Sequence, residues 1–151
     1  MEAAKKNWRL RIEGFDCFGQ DDAKVPVETD VVSFSHGMGW EEKNGENLPK
    51  LDEIYIVRYM DPASPYFMQN CMKGEILPKV ELILQAQKDG DEVFSLRYVL
   101  ENARITMVRP GGSKSGGEVQ PLEEVSFTFE RMHIEISDPD GKGYTTLTDA
   151  S

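Results

Sequence analysis

Residues 93–137 constrain the fold of this chain more than any other stretch. They hold two long runs in which large apolar residues alternate with small or polar ones, the mark of half-buried strands. In the first run the apolar positions are even: Phe94, Leu96, Tyr98 and Leu100. After Glu101-Asn102-Ala103-Arg104 they become odd, at Ile105 and Met107. In the second run they are odd at Val125, Phe127 and Phe129, and even after Glu130-Arg131, at Met132, Ile134 and Ile136. Between the runs lies Arg-Pro-Gly-Gly-Ser-Lys-Ser-Gly-Gly, a cluster of breakers without periodicity. A strand has a side-chain period of two, so a phase switch requires a bulge or a passage from one sheet to another. Paired about the glycine loop, the two switches fall opposite each other. The expectation is one long hairpin that turns a corner and belongs to both sheets of an antiparallel barrel or sandwich.

The rest of the chain supplies partners for it. Trp8, Leu10 and Ile12 alternate with charged residues in a first strand that stops at Gly14, and residues 16–24 read as a polar turn. Residues 25–36 read as a second strand, with Val32 and Phe34 on the bulky face and Val31, Ser33 and Ser35 on the other. Residues 37–50 have three glycines, a proline, three glutamates and no period, so they read as a long extended arm. A third strand covers 51–59. Ser64 has the character of an N-cap, Pro65 suits the first helical position and Gly74 suits the stop, which predicts one short helix. Phe67 with Cys71, and Met68 with Met72, stand at i, i+4 spacing and predict its buried stripe. Val80, Leu82 and Leu84 predict a further strand, and Lys-Asp-Gly-Asp at 88–91 a tight turn into the long hairpin. Residues 144–151 read as a loose tail. The whole, 1–151, reads as a single mostly β domain.

Composition narrows the function. With 17 basic against 27 acidic residues the net charge is −10, which argues against a nucleic-acid partner. No apolar run approaches a membrane span, and the first residues lack the apolar segment of a signal peptide. Cys17 and Cys71 read as reduced thiols of a chain made in the cytoplasm. His36 and His133 lie within predicted strands, and no metal, cofactor or nucleophile spacing surrounds them. The loop 111–117 joins two strands, whereas a phosphate loop opens a helix. Asp138-Pro139-Asp140-Gly141 lacks the later glutamate of a calcium loop and reads as a turn. The residues thus describe a non-enzymatic binding barrel or a self-assembling subunit, and pattern alone leaves both open.

Specific strings favour the second. Glu28-Thr29-Asp30-Val31-Val32-Ser33-Phe34-Ser35-His36-Gly37-Met38 is similar to the start of the arm-bearing region of the hemolysin-coregulated proteins (Hcp), the tube subunits of bacterial type VI secretion. Tyr59-Met60-Asp61-Pro62-Ala63-Ser64-Pro65, with a short helix closing on Cys71-Met72-Lys73-Gly74, resembles that family's helix segment. Tyr98 to Ile105, Gly111-Gly112-Ser113, Glu124 to Phe129 and Asp140-Gly141-Lys142-Gly143 resemble its final hairpin and close. His36 departs from it, standing where the family often has an aromatic residue.

The resemblance implies a two-sheet barrel with one flanking helix. Six copies would form rings that stack into a tube, expelled by a contractile sheath behind a spike, with small effectors in the lumen. It implies a cytoplasmic protein secreted on firing without a signal peptide. Alternation sets Val31, Ser33 and Ser35 opposite the bulky Val32 and Phe34, and the resemblance favours this strand as inner wall, so these three are the expected effector-facing positions. The arm has too few apolar residues to bury itself and is expected to lie on a neighbouring copy through Trp40, Glu41, Glu42, Asn44 and Leu48, with Trp40 and Leu48 as joint anchors. A phage-type tail tube protein would share this mechanism; a monomeric ligand-binding β-barrel is the contrasting alternative.

Overall fold

The structure, a computed structural model, describes residues 4–15 and 27–137, and the backbone of residues 143–149. Cys17, the polar stretch 16–24 and the turn at 138–141 lie outside the described residues. Strand β1 (Lys5–Glu13) pairs antiparallel with β2 (Val27–Asp30) on one side and with β7 (Leu77–Lys88) on the other. Next to β7 runs β8 (Asp91–Gly111), a strand of 21 residues. Its first part carries β10 (Arg131–Ser137) on its far edge, and β10 carries β11 (Gly143–Asp149). Its last part pairs with β9 (Leu122–Thr128), then come β6 (Ile54–Tyr59) and β3 (Ser33–Ser35). Strand β8 therefore belongs to two sheets, as the matched phase switches predict.

The corner has a visible cause. Asn102 takes a left-handed conformation, φ 50°, at the centre of the first switch, a region that asparagine tolerates better than most residues. Its side-chain amide donates to the Glu130 carboxylate (2.8 Å), and the Glu130 amide donates to the Glu101 carbonyl (3.0 Å). The two switches are thus tied across the hairpin. A bulge between Ile105 and Met107 then completes the change of phase.

Apolar residues on the inner face of the first sheet form rows across the strands. Ile12, Val80, Leu100 and Met132 make one row; Leu10, Leu82, Tyr98 and Ile134 the next; Trp8, Leu84, Leu96 and Ile136 a third. Burial falls along this series: the first row is closed, whereas Ile136 is 39% exposed. The second sheet covers the first rows through Ile54, Ile56, Val125 and Phe127, and reaches the third through Phe34 on Trp8. Phe34 meets Trp8 and Tyr98 edge-on, at 5.9 and 5.8 Å between ring centres.

Three expectations change here. Residues 25–36 do not make one strand. The Val31 amide donates to the Trp8 carbonyl of β1 (2.9 Å), and the Val32 amide donates to the Val57 carbonyl of β6 (2.7 Å). The chain passes from one sheet to the other between these two residues, and the hydrogen-bonded circuit β1, β7, β8, β9, β6 returns to β1 through this segment. The handover also flips the side chains: Val31 is buried in the core, and Val32 is exposed. The arm, read as an excursion without period, is a ribbon of β4 (Met38–Lys43) and β5 (Glu46–Leu51). Asn44 and Gly45 close it with φ of 53° and 81°, the two positive values of a type I′ turn. Residues 143–149, read as part of a loose tail, form β11, in register with β10 from Arg131↔Asp149 to Ser137↔Gly143. The Asp89-Gly90 turn between β7 and β8, φ 54° and 84°, is as the sequence predicts.

Helix α1 (Ser64–Lys73) lies against this barrel, with Phe67 fully buried and Gly74 left-handed at its end. The Gly74 amide donates to the Asn70 and Cys71 carbonyls. Phe67 stacks on Phe15, 4.8 Å between centres, and Cys71 is half-buried against the core, so this pair forms the predicted stripe. Met72 is 86% exposed and does not join it. Nor is Ser64 the cap: Ala63 holds that position and the Ser64 hydroxyl turns inward.

Candidate functional site

The arm is a stretch that the rest of the described chain leaves bare, as it does the loop 109–121, but the arm is an ordered ribbon with large apolar residues on it. Every residue from Met38 to Lys50 is exposed, Met38 at 63% and Trp40 at 75%. Cross-strand partners share a face, so the register sorts the ribbon. Met38, Trp40, Glu42, Asn47 and Pro49 lie on one side; Glu41, Lys43, Glu46, Leu48 and Lys50 lie on the other. Trp40 and Leu48, expected as joint anchors, therefore point in opposite directions, and Met38 replaces Leu48 as the neighbour of Trp40. Asn44 serves the turn. Glu41 lies 3.7 Å from Lys50, which reaches Asp52 at 3.9 Å, an exposed pairing of little energetic weight.

The root of the arm is firmer. The Asp52 amide donates to the Gly37 carbonyl (3.0 Å), where a Cβ on Gly37 would stand 3.0 Å from the Asp52 carboxylate. Beside it, Ser35, His36, Lys50, Leu51, Glu53 and Tyr55 line an open cleft of about 620 Å³. His36 packs edge-on against Tyr98, 5.7 Å between centres. Burial lowers its pKa, and nearby Asp52 only partly opposes that.

Ser33 and Ser35 are exposed on the outer face of the second sheet, opposite Val57 and Tyr55. The row of Ser35 and Tyr55 continues to Ser126, whose hydroxyl meets that of Thr106 at 2.8 Å. Ser126 itself is fully buried, so the row of Ser35 shows the hydroxyls of Tyr55 and Thr106, which the sequence did not single out, beside the charged residues of the cleft. Val31 does not. At 8% exposure inside the core it faces no surface, because the handover reverses its direction.

Between wall and helix is a buried ionic cluster that sequence reasoning missed. Arg58 on β6 and Glu123 on β9 are register partners, each 1% exposed, and their charged groups are bonded directly. Arg58 also reaches Asp61 at 2.7 Å and lies over the Phe67 ring at 4.6 Å. The Ser64 hydroxyl sits 3.2 Å from Glu123 and accepts from the Asp61 amide (3.0 Å). This cluster fastens the start of α1, Ser64-Pro65, to the sheet. On the outer face of the first sheet a second ion cluster joins β7, β8 and β10: Arg97 bonds Glu81 at 2.7 Å and Glu135 at 3.3 Å. Burial pushes the Glu81 carboxyl up, but Arg97 and Lys79 together hold it below the usual range.

None of these groupings is an arrangement of nucleophile, base and oxyanion donors. What the site offers is surface: a two-faced ribbon and the exposed strand of Ser33 and Ser35.

Known proteins share this architecture. Hcp1 from Salmonella typhimurium superposes with a TM-score of 0.70 over 95% of this chain and 94% of that one, at 24% identity. A type VI secretion system effector from Yersinia pestis gives 0.69 over 95% and 99%, at 22% identity. In sequence, the protein hcp1 of Pseudomonas aeruginosa is 25% identical over 85 residues, 56% of this chain; the match spans about half of that protein, 51%. The model of the family described as type VI secretion system effector, Hcp, matches residues 10–136, from the first barrel strand through β10 and including the arm, α1 and the long hairpin. That span holds the elements described above almost entire, and this chain belongs to the Hcp family of the type VI secretion system.

Proposed function

We propose that the protein is a subunit of the type VI secretion inner tube, forming hexameric rings that stack and carry small effectors in the lumen. It acts in the cytoplasm until sheath contraction expels the tube behind its spike, and it performs no catalysis and needs no cofactor. Family membership supports the system. The observation that carries self-assembly is the arm: an ordered ribbon with Met38 and Trp40 uncovered is costly to keep in water and suits a contact with another copy. The contrasting reading, a barrel that encloses a small ligand, finds less support, since Phe67, Phe127, Leu82 and Ile56 fill the interior.

Light scattering after size-exclusion chromatography tests the reading, because a ring elutes at about six times the chain's mass. Replacing residues 41–48 by Asn-Gly would close the ribbon early, on the Trp40–Pro49 pair. The shortened protein is expected to keep its unfolding midpoint within a few degrees, since the deleted residues are exposed, and to give no tubes by electron microscopy. Tubes of normal length would sink the role given to the arm.

Ser33 and Ser35 are the proposed effector-facing positions. Small hydroxyl groups offer hydrogen bonds without bulk to cargo of varied shape. Ser35→Gln lengthens one side chain in every subunit around the ring. It should reduce capture of a co-expressed effector several-fold on rings of unchanged mass, with stability altered by no more than about 0.5 kcal/mol. Full capture by intact mutant rings would remove Ser35 from the lumen.

A further inference from the structure

The inner face of the first sheet is apolar for longer than the barrel that covers it. Beyond the row of Trp8, Leu84, Leu96 and Ile136 stands the row of Lys6, Ala86 and Phe94. Phe94 is 37% exposed and Ile136 39%, whereas Leu96 is half-buried. This makes a shelf of Phe94, Leu96 and Ile136 at the open end of the sheet, rimmed on the β1 side by exposed Lys6, whose ammonium lies over the Trp8 ring at 5.7 Å. The arm takes off beside it, since His36, the residue before the arm root, packs on Tyr98 one row further in.

The arm and the shelf are complementary in character. Met38 and Trp40 share one face of the ribbon, and Glu42 extends that same face toward the tip. On the shelf, Lys6 follows Phe94 and Ala86 in one row. An apolar pair followed by an acidic group thus meets an apolar pair followed by a basic one.

From this match of apolar area and charge we infer that the shelf is the docking surface for the arm of a second copy, with Trp40 seated against Phe94 and Ile136 and Glu42 placed near Lys6. The inference rests on the self-assembly proposed above and names the surface that receives the arm. Because donor and receiver are different patches of one chain, the contact is heterologous, the kind that builds rings or stacks instead of closed pairs.

Cross-linking between copies tests it. Two differently tagged chains, Trp40→Cys and Phe94→Cys, both on a Cys17→Ser, Cys71→Ala background, are co-expressed and treated with a short bis-maleimide. The expected product is a mixed dimer carrying both tags, formed at least ten-fold more than either same-tag dimer. Charge reversal is the second measurement: Glu42→Lys or Lys6→Glu alone should weaken assembly about ten-fold, and the two together should restore it. An internal cross-link in the double variant Trp40→Cys/Phe94→Cys, at dilutions where light scattering shows monomers, would mean that each arm covers its own shelf and would overturn the inference. Assemblies of ring mass that yield no mixed product would overturn it while leaving the tube reading in place. A protein that stays monomeric at every concentration would overturn both.

Discussion

Truncating Arg58 to alanine is expected to cost about 3–5 kcal/mol, because it leaves the Glu123 carboxylate buried without its counter-charge. That is a large share of the roughly 5–15 kcal/mol by which a domain is usually stable. The loss also frees Asp61, removes the cation from the Phe67 ring and takes away the guanidinium N–H that donates to the Ser64 hydroxyl (3.4 Å), so the start of α1 should loosen with it. Urea unfolding of the variant against the parent measures the cost, and hydrogen exchange of the α1 amides locates it. The double variant Arg58→Met/Glu123→Leu removes both charges and keeps the volume, so it should recover most of the loss. If Arg58→Ala changed stability by less than about 1 kcal/mol, the pair would have to be open to water.

Phe67→Ala should be comparably damaging, at about 3–5 kcal/mol. Its ring is fully buried where α1 meets the sheet, with Phe15 on one side and the Arg58 guanidinium on the other. The arginine and the backbone around it are held by their own bonds, so the cavity has little room to collapse, which places the cost toward the upper end. Phe67→Leu should give back about half by refilling the space. Since Phe67 and Arg58 touch, the two alanine variants should not add, and a double-mutant cycle should return a coupling of about 1 kcal/mol or more. A value near zero would mean that the ring and the guanidinium act independently.

The parts of the fold legible in sequence are those where large apolar residues alternate without interruption. The double phase switch works because Leu100, Ile105, Phe129 and Met132 are bulky enough to declare their side, and Asn102 marks the place of the bend. The segment 25–36 fails for the opposite reason. Its alternation runs on through Val31 and Val32, two residues of identical type, and nothing in their chemistry announces that one bonds to β1 and the other to β6. The ribbon 38–51 looks irregular in sequence because both of its faces meet solvent, so no period of two develops. Asn44-Gly45, a strong hairpin signal, was nevertheless there to be read. The tail 143–149 was masked by its polar composition. The buried ion pair was also open to parity: Arg58 is in phase with Ile54 and Ile56, and Glu123 with Val125 and Phe127. Opposite charges standing in the core phase at matching ends of two strands are a signal for a paired interior. The wall near Ser35 could not be completed from sequence, because Thr106 comes to Ser126 only through a bulge.

The position of β1 in the circuit has a consequence for synthesis. Its pairing with β7 joins Ile12 to Val80, about 70 residues later in the chain. At about 5–20 residues per second a ribosome needs several seconds to deliver that partner. Through that interval Trp8, Leu10 and Ile12 can be shielded only by nascent-chain contacts of lesser quality, and β2 bonds an edge without covering this face. Pairings so distant in sequence fold slowly even in a finished chain, on the order of milliseconds to seconds. The newborn protein thus passes through a stage with an apolar strand edge on offer. Copies emerging from neighbouring ribosomes share that hazard, and slower translation across residues 60–80 should raise the fraction lost to aggregation.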